Sequence, residues 1–174
     1  LNEIQKDNPD VLFLFENVRM KKEYVEYINN LLGVKSILIN SSLVSAQNRV
    51  RNYWTNIPNV VLPKDKKIKL SDIFPNMGGA GVRDRKVNGK YKAYMTIRKD
   101  NKANCLTSSS STRQFYNFEE NKLQYITPEQ AEKLQGFPEE YTSLEGLCNT
   151  KRLKLIGNSW SIPTIVHIFS FMAG

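Results

Sequence analysis

A chain of 174 residues with 40% hydrophobic side chains is sized for one ordinary domain, or for one lobe with a small appended module. Its 25 Lys and Arg against 17 Asp and Glu give a formal charge of +8, which points to a polyanionic partner, nucleic acid first among them. Cys105 and Cys148 lack CxxC spacing, which argues against a disulfide framework and a zinc site. No export signal or run of eighteen apolar residues supports secretion or membrane insertion, so a reducing, cytoplasmic setting is expected.

In chain order, Val11 to Phe15 is a short continuous apolar run. It reads as a strand buried on both faces, as in the interior of a parallel sheet. Glu16 follows at the expected carboxyl end, where open α/β sheets bind ligands, so it is a candidate for chemistry as well as for solvation. A helix is predicted over Lys21 to Leu32, with Tyr24, Ile28, Leu31 and Leu32 on one face and Gly33 as the stop. Ser36 to Val44 is the next predicted strand. This alternation is that of a doubly wound sheet.

The stretch SAQNRVRNYWTNIP, Ser45 to Pro58, places Gln47, Arg49 and Arg51 two residues apart. If it is extended, all three point to one side, and two guanidinium groups there need phosphate, carbonyl or base-edge acceptors. The competing reading is an exposed edge strand with solvated arginines.

From about Asn59 to Tyr125 the periodicity fades, and Lys, Arg, Asn, Gly and Ser dominate. Six aromatics, Phe74, Tyr91, Tyr94, Phe115, Tyr116 and Phe118, predict a small irregular β module with a minimal core. Between Arg83 and Lys102 eight Lys or Arg stand against two Asp, and Gly78, Gly79 and Gly81 just before them read as a flexible hinge. Arg83, Arg85, Lys86, Lys90, Arg98 and Arg113, with Gln47, are the candidate DNA contacts. Thr107 to Thr112 could line phosphates or be an ordinary loop.

Helical signals return from Ile126. Thr127, Pro128 and Gln130 make a Thr-x-x-Gln capping box, and Gly136 ends that helix. A second helix is predicted over Asn149 to Ile156, and Gly157-Asn158-Ser159-Trp160 then reads as a turn. The last helix starts at Ser161 and is predicted to turn Ile162, Ile165, Val166 and Phe169 inward. His167 there reads as a packing or surface histidine.

Taken together, these segments resemble the C-terminal half of the DNA (cytosine-5)-methyltransferases. FENV matches the family's Glu-Asn-Val motif, SAQNRVR its Gln-x-Arg-x-Arg motif, ITPEQAEKLQGFPEEY the segment after target recognition, and GNSW the final cofactor motif. Four motifs occur in family order across nearly the whole chain. The wording VSAQNRVRNYWTNIP and GNSWSIPTIVHIF is similar to the de novo branch, and a phage or bacterial origin is expected.

The resemblance implies a fold, a reaction and a set of roles. The fold is the second half of a doubly wound S-adenosylmethionine-dependent methyltransferase sheet plus a β-rich recognition module. Residues 1–58 are its sheet part, 59–125 the recognition module and 126–174 the closing helices. Glu16 would act at N3 of a flipped cytosine, Arg51 at O2, and Arg49 at a phosphate or as a brace for the active-site loop. Asn17 would hold the loop, and Asn158, Ser159 and Trp160 would border S-adenosyl-L-methionine.

The family's Pro-Cys nucleophile and glycine cofactor loop are missing from this sequence, and Cys105 and Cys148 do not replace them. With Leu1 at its start, the chain is expected to be a fragment that is inactive alone. It would need double-stranded DNA and a missing N-terminal half, and it could self-associate. The alternative is a noncatalytic DNA-binding paralogue or one subunit of a split enzyme.

Overall fold

Two units, each assembled from separated stretches of chain, make up the computed structural model. It describes residues 1–108 and 114–173, apart from the side chains of Asn2, Arg83, Asp84, Arg85, Tyr91, Ala93 and Ala173. The first unit takes Leu1–Asn40, Val50–Pro63 and Val166–Gly174, and the second takes Ser41–Arg49 and Lys64–Ile165. Among the described residues no helix is long and apolar enough to cross a membrane.

The first unit opens with α1 (Asn2–Asp7), then β1 (Leu14–Val18), α2 (Lys22–Leu32), β2 (Ile37–Asn40) and, after a gap in sequence, β3 (Val50–Thr55). The strand order is β1-β3-β2, with both pairings antiparallel. β1 and β2 therefore run parallel to each other across the α2 crossover, while β3 occupies the slot between them. The expectation of a parallel sheet holds for their direction and fails for their pairing. Two-sided burial fails as well: β1 pairs only with β3 among the described residues, and Phe15 is 43% exposed.

Side chains extend the β1–β3 ladder. Asn56 accepts from the Phe13 N–H and donates to the Val11 carbonyl, both at 2.9 Å, and the Thr55 hydroxyl donates to the Phe13 carbonyl. Residues before Leu14 are thus fastened outside the regular strand. The predicted strand at Ser36 shortens to Ile37–Asn40, because a 3-10 turn over Ser41–Leu43 follows.

α2 ends at Gly33, whose φ of 67° lies in the left-handed region. Val25, Ile28, Asn29 and Leu32 are its half-buried side, and the Trp54 indole donates to Asn29 at 2.8 Å. Tyr24 and Leu31, expected on that side, are exposed. At about 100° per residue they fall on its flank.

In the second unit α3 (Leu70–Ile73) precedes β4 (Met77–Val87), β5 (Lys90–Ile97), β6 (Gln114–Asn117) and β7 (Lys122–Tyr125), an antiparallel sheet ordered β5-β4-β6-β7. The glycines before the basic stretch are not a hinge. They lie within β4, and a Cβ on Gly79 would sit 1.9 Å from the Lys102 carbonyl oxygen, so only glycine admits that backbone approach. Beyond Gly79, among the described residues, only β5 pairs with β4, which gives a two-stranded ribbon closed by Asn88-Gly89, both at positive φ.

α4 (Pro128–Gln135), α5 (Asn149–Asn158) and the start of α6 (Ile162–Phe169) complete this unit. The Thr127–Gln130 capping box forms with both reciprocal bonds. α5 runs two residues past its expected end, so Gly157 and Asn158 are helical rather than a turn. A Cβ on Gly157 would meet the Thr107 carbonyl oxygen at 2.4 Å. The enclosed cluster holds Ala46, Leu70, Ala103, Leu106, Phe115, Ile126, Ala131, Leu134 and Ile156. In α6, Thr164, Ile165 and Ile168 are buried while Val166 and Phe169 are exposed, correcting the predicted inward face: the buried three share one helical arc.

Candidate active site and nucleic acid interface

Glu16 is the central residue of β1, not its last, and lies opposite Tyr53. Arg51 lies opposite Val18, so the two form a diagonal pair on one face of the antiparallel ladder. Arg51 Nε is 2.8 Å from Glu16 Oε1, with side chains only 13% and 15% exposed. The contact is a charge pair without hydrogen-bond alignment at Oε1, and Arg51 Nη1 also donates to the Val50 carbonyl. Tyr53 and Ile39 complete that face by register.

Asn17 is on the opposite face, where its side-chain oxygen accepts from the Val18 N–H at 2.8 Å. Its neighbour across the ladder, Asn52, donates to the Val18 carbonyl at 3.0 Å. Two carboxamides thus fix the carboxyl end of β1. Asn52 is absent from the sequence-predicted set because an asparagine inside a strand pattern carries no periodic signal.

The shared face predicted for Gln47, Arg49 and Arg51 does not form. Regular pairing starts only at Val50, and the preceding residues belong to the second unit. Gln47 is fully enclosed, bridged to Ala103, and is therefore not presented as a DNA contact.

Arg49, 3% exposed, donates to the carbonyls of Leu106 at 2.8 Å, Ser159 at 2.7 Å and Gly157 at 3.4 Å, and lies 3.4 Å from Cys105 Sγ. It braces a loop rather than serving a phosphate. Carbonyls at the negative end of α5 satisfy a guanidinium that burial would otherwise penalise.

Asn158, Ser159 and Trp160 surround that helix end. Asn158 and the Trp160 ring are exposed, and the Ser159 hydroxyl donates to the Ile156 carbonyl at 2.6 Å. Beside them lies a mostly apolar cavity of about 260 Å³, lined in part by Phe137, Leu144, Leu155 and Ser159.

Lys86 and Lys90 are exposed near the ribbon tip. Arg98 is spoken for: its Nε and Nη2 donate to the Asp100 carboxylate, holding that carboxyl below its ordinary range, and its Nη1 reaches Asn104. This reduces Arg98 as a free DNA contact. The side chains of Arg83 and Arg85 lie outside the described residues, as do Arg113 and residues 109–112.

Lys102, counted with the basic stretch, is structural. Its ammonium donates to the carbonyls of Ser42, Ser45 and Ile68. Burial lowers its pKa, against the attraction of Asp65, Asp100 and Asp72.

Local patterns give no sign of the ionic knot of α4 and α5 either. Arg152 donates to Glu129 at 2.7 Å, to Glu132 at 3.2 Å and to the Thr142 hydroxyl at 3.0 Å, while the Thr142 N–H and hydroxyl both donate to Glu132.

The chain is mixed α/β, with a carboxylate–guanidinium pair on its three-stranded sheet and a basic β ribbon. The chain belongs to the C-5 cytosine-specific DNA methylase family, whose model matches residues 4–173. Among solved structures it is similar to the Entamoeba histolytica methyltransferase EhMeth, at 20% identity and a TM-score of 0.61 over 92% of this chain and 62% of that one. A Spodoptera frugiperda DNMT2 variant matches at 18% identity and a TM-score of 0.56, over 94% of this chain and 66% of that one. The chain thus spans less than two thirds of either relative.

Proposed function

We propose that this chain is the C-terminal part of a DNA (cytosine-5)-methyltransferase of phage or bacterial type, with likeness to the de novo branch. It supplies the base-edge pair, the recognition module and one border of the cofactor site. Residues 1–58 serve as the sheet part, 59–125 as the recognition module and 126–174 as the closing helices. A segment bearing a Pro-Cys nucleophile and a glycine loop completes it, so the chain is inactive alone.

The observation that carries this reading is the Glu16–Arg51 contact at 2.8 Å. N3 and O2 of cytosine are separated by one ring carbon, so a carboxyl and a guanidinium held side by side match that edge. Glu16 meets N3 as charge develops after thiolate attack at C6, and Arg51 meets O2. Flipping the base out of the duplex brings its edge to the pair. Without base, the two side chains neutralise each other and stay side by side.

The residues at the end of α5 fit S-adenosylmethionine. The exposed Asn158 carboxamide suits its amino-acid end, and the Trp160 face, 41% exposed, suits a sulfonium cation. When bound, that group supplies the methyl. Duplex DNA is the substrate, and the exposed Lys86 and Lys90 with Arg83 and Arg85 of β4 make the phosphate contacts.

The test joins this chain to a family segment carrying the Pro-Cys and glycine-loop motifs. Glu16→Gln in the reconstituted enzyme should lose most methyl transfer while binding duplex DNA normally. Near-normal methylation by that variant rejects the assignment.

A further inference from the structure

Half of the chain's excess positive charge gathers at the base of the ribbon, where residues 64–72 and 98–102 hold seven Lys or Arg against three Asp. The concentration lies in Lys64, Lys66, Lys67 and Lys69, all exposed, and among the described residues none of the four makes an ion pair. The three aspartates instead lie in the field of the part-buried Lys102 ammonium. The carboxylates that could quiet the surface lysines are thus shared with an interior cation.

The loop is also fixed in shape. Lys66 N–H donates to the Leu43 carbonyl at 2.8 Å, Lys67 N–H to Asp65 at 2.8 Å and Lys69 N–H to Asp72 at 2.7 Å, while the Ile68 carbonyl accepts from Lys102 at 2.5 Å. Lys67 is held at a φ of 55°, a left-handed conformation that a lysine adopts only when its surroundings impose it. A merely solvated charge run needs no such anchoring. Here the backbone is ordered in advance and only the side-chain rotors remain to be fixed on binding.

Position narrows the partner. Leu70 N–H donates to the Asn101 carbonyl at 2.7 Å and Arg98 N–H to the Gly79 carbonyl at 2.8 Å, which puts the loop at the root of the β4–β5 ribbon. Ala80 to Val87 reaches about 23 Å at roughly 3.3 Å per residue. Cations at root and tip therefore span on the order of two thirds of a DNA helical turn of about 34 Å. A regular polyanion offers charge at both ends of such a span; a local acidic patch does not.

We propose that the Lys64–Lys69 loop is a second DNA contact, a preformed cradle for the phosphate backbone of duplex DNA at the root of the ribbon. It rests on the reading that DNA is the partner. The loop carries sequence-independent affinity and leaves base reading to the ribbon.

Anisotropy titrations of a labelled duplex against salt test this, using the full chain, the K64Q/K66Q/K67Q/K69Q variant, its all-arginine counterpart, and K86Q/K90Q. The glutamine variant should lower the slope of log K against log salt by about 2 to 3, at roughly 0.9 per lost phosphate, and weaken binding by on the order of 100-fold near 0.1 M salt. The arginine variant should bind like the parent, and melting temperatures should stay level, since none of the four ammonium groups makes an ion pair among the described residues.

An unchanged slope in the glutamine variant, with K86Q/K90Q weakened, overturns this inference and leaves DNA as the partner. Equal loss in the arginine variant also overturns it, because charge is then not what the loop supplies. If neither the parent chain nor its complex with the complementing segment binds duplex, the DNA reading itself falls.

Discussion

In the second unit nine side chains from Ala46 to Ile156 close into one enclosed cluster, held by capped helices and a four-stranded sheet. In the first unit Ile39, Tyr53 and Trp54 are buried, but α2 buries no residue fully, and Phe15, Val18, Leu31 and Leu38 stay in solvent. A cavity of about 570 Å³ lined by Leu1, Phe13, Leu14, Phe15, Leu31 and Leu32 opens beside β1. The difference shows which unit encloses its apolar side chains and which leaves them open to solvent. A finished core ranks its residues by burial, whereas an open sheet leaves the same residue types with little to lose.

The two tryptophans separate the units in experiment, with Trp54 in the first and Trp160 in the second. The largest expected effect is Arg152→Met. It leaves the enclosed Glu132 carboxylate without its cation and should cost about 3–5 kcal/mol, read from urea unfolding by Trp160 fluorescence. Burial pushes the Glu132 carboxyl up, but the Thr142 hydroxyl and N–H and then Arg152 outweigh it and leave the pKa below the ordinary 4.5. A depressed carboxyl stabilises above its unfolded value and loses that contribution as pH falls through the folded one. Parent stability should therefore drop below about pH 4.5, and less so in Glu132→Gln. A flat acid profile in the parent breaks the account.

Next in size is association. At micromolar concentration the chain should sediment as dimers or larger species, because β1 has an edge without a partner strand among the described residues, beside exposed apolar side chains. The complementing segment should return it to a 1:1 complex. A stable monomer that gains nothing from that segment breaks the comparison and favours an autonomous DNA-binding module.

A paired truncation, ending on the smallest effect, sharpens the contrast at single residues. Leu134→Ala, within the enclosed cluster, should cost about 2–5 kcal/mol. Leu31→Ala should change stability by less than about 0.5 kcal/mol in the chain alone, since that leucine is 58% exposed. Equal losses at both positions in denaturant melts contradict an open first unit.

Local chemistry is legible in the order of residues alone. Thr127, Pro128 and Gln130 specify a helix start whatever surrounds them, because each bond of the capping box closes within four residues. The α2 stop at Gly33 is legible for the same reason. Asn88-Gly89 carries an equally local hairpin signal, which the expectation of a flexible hinge and a basic stretch passes over. The run Val11 to Phe15 misleads, since continuous apolarity does not say how many neighbours a strand has. The spacing of Gln47, Arg49 and Arg51 misleads similarly, because period two orients side chains only where the chain is extended.

The sequence by itself determined the family motifs and their order, the helix caps and the basic character of the middle region, all of which depend on residue identity or on neighbours a few positions away. Tertiary structure alone decided that Arg49 braces carbonyls while Arg51, two residues on, faces Glu16. It alone turned three glycines from hinge to strand, drew Lys102 inward and left four lysines of a pinned loop outside. The physical reason is common to all of these: a charged or small residue takes its role from acceptors and backbone brought near by chain segments tens of residues away, and no local pattern encodes that distance.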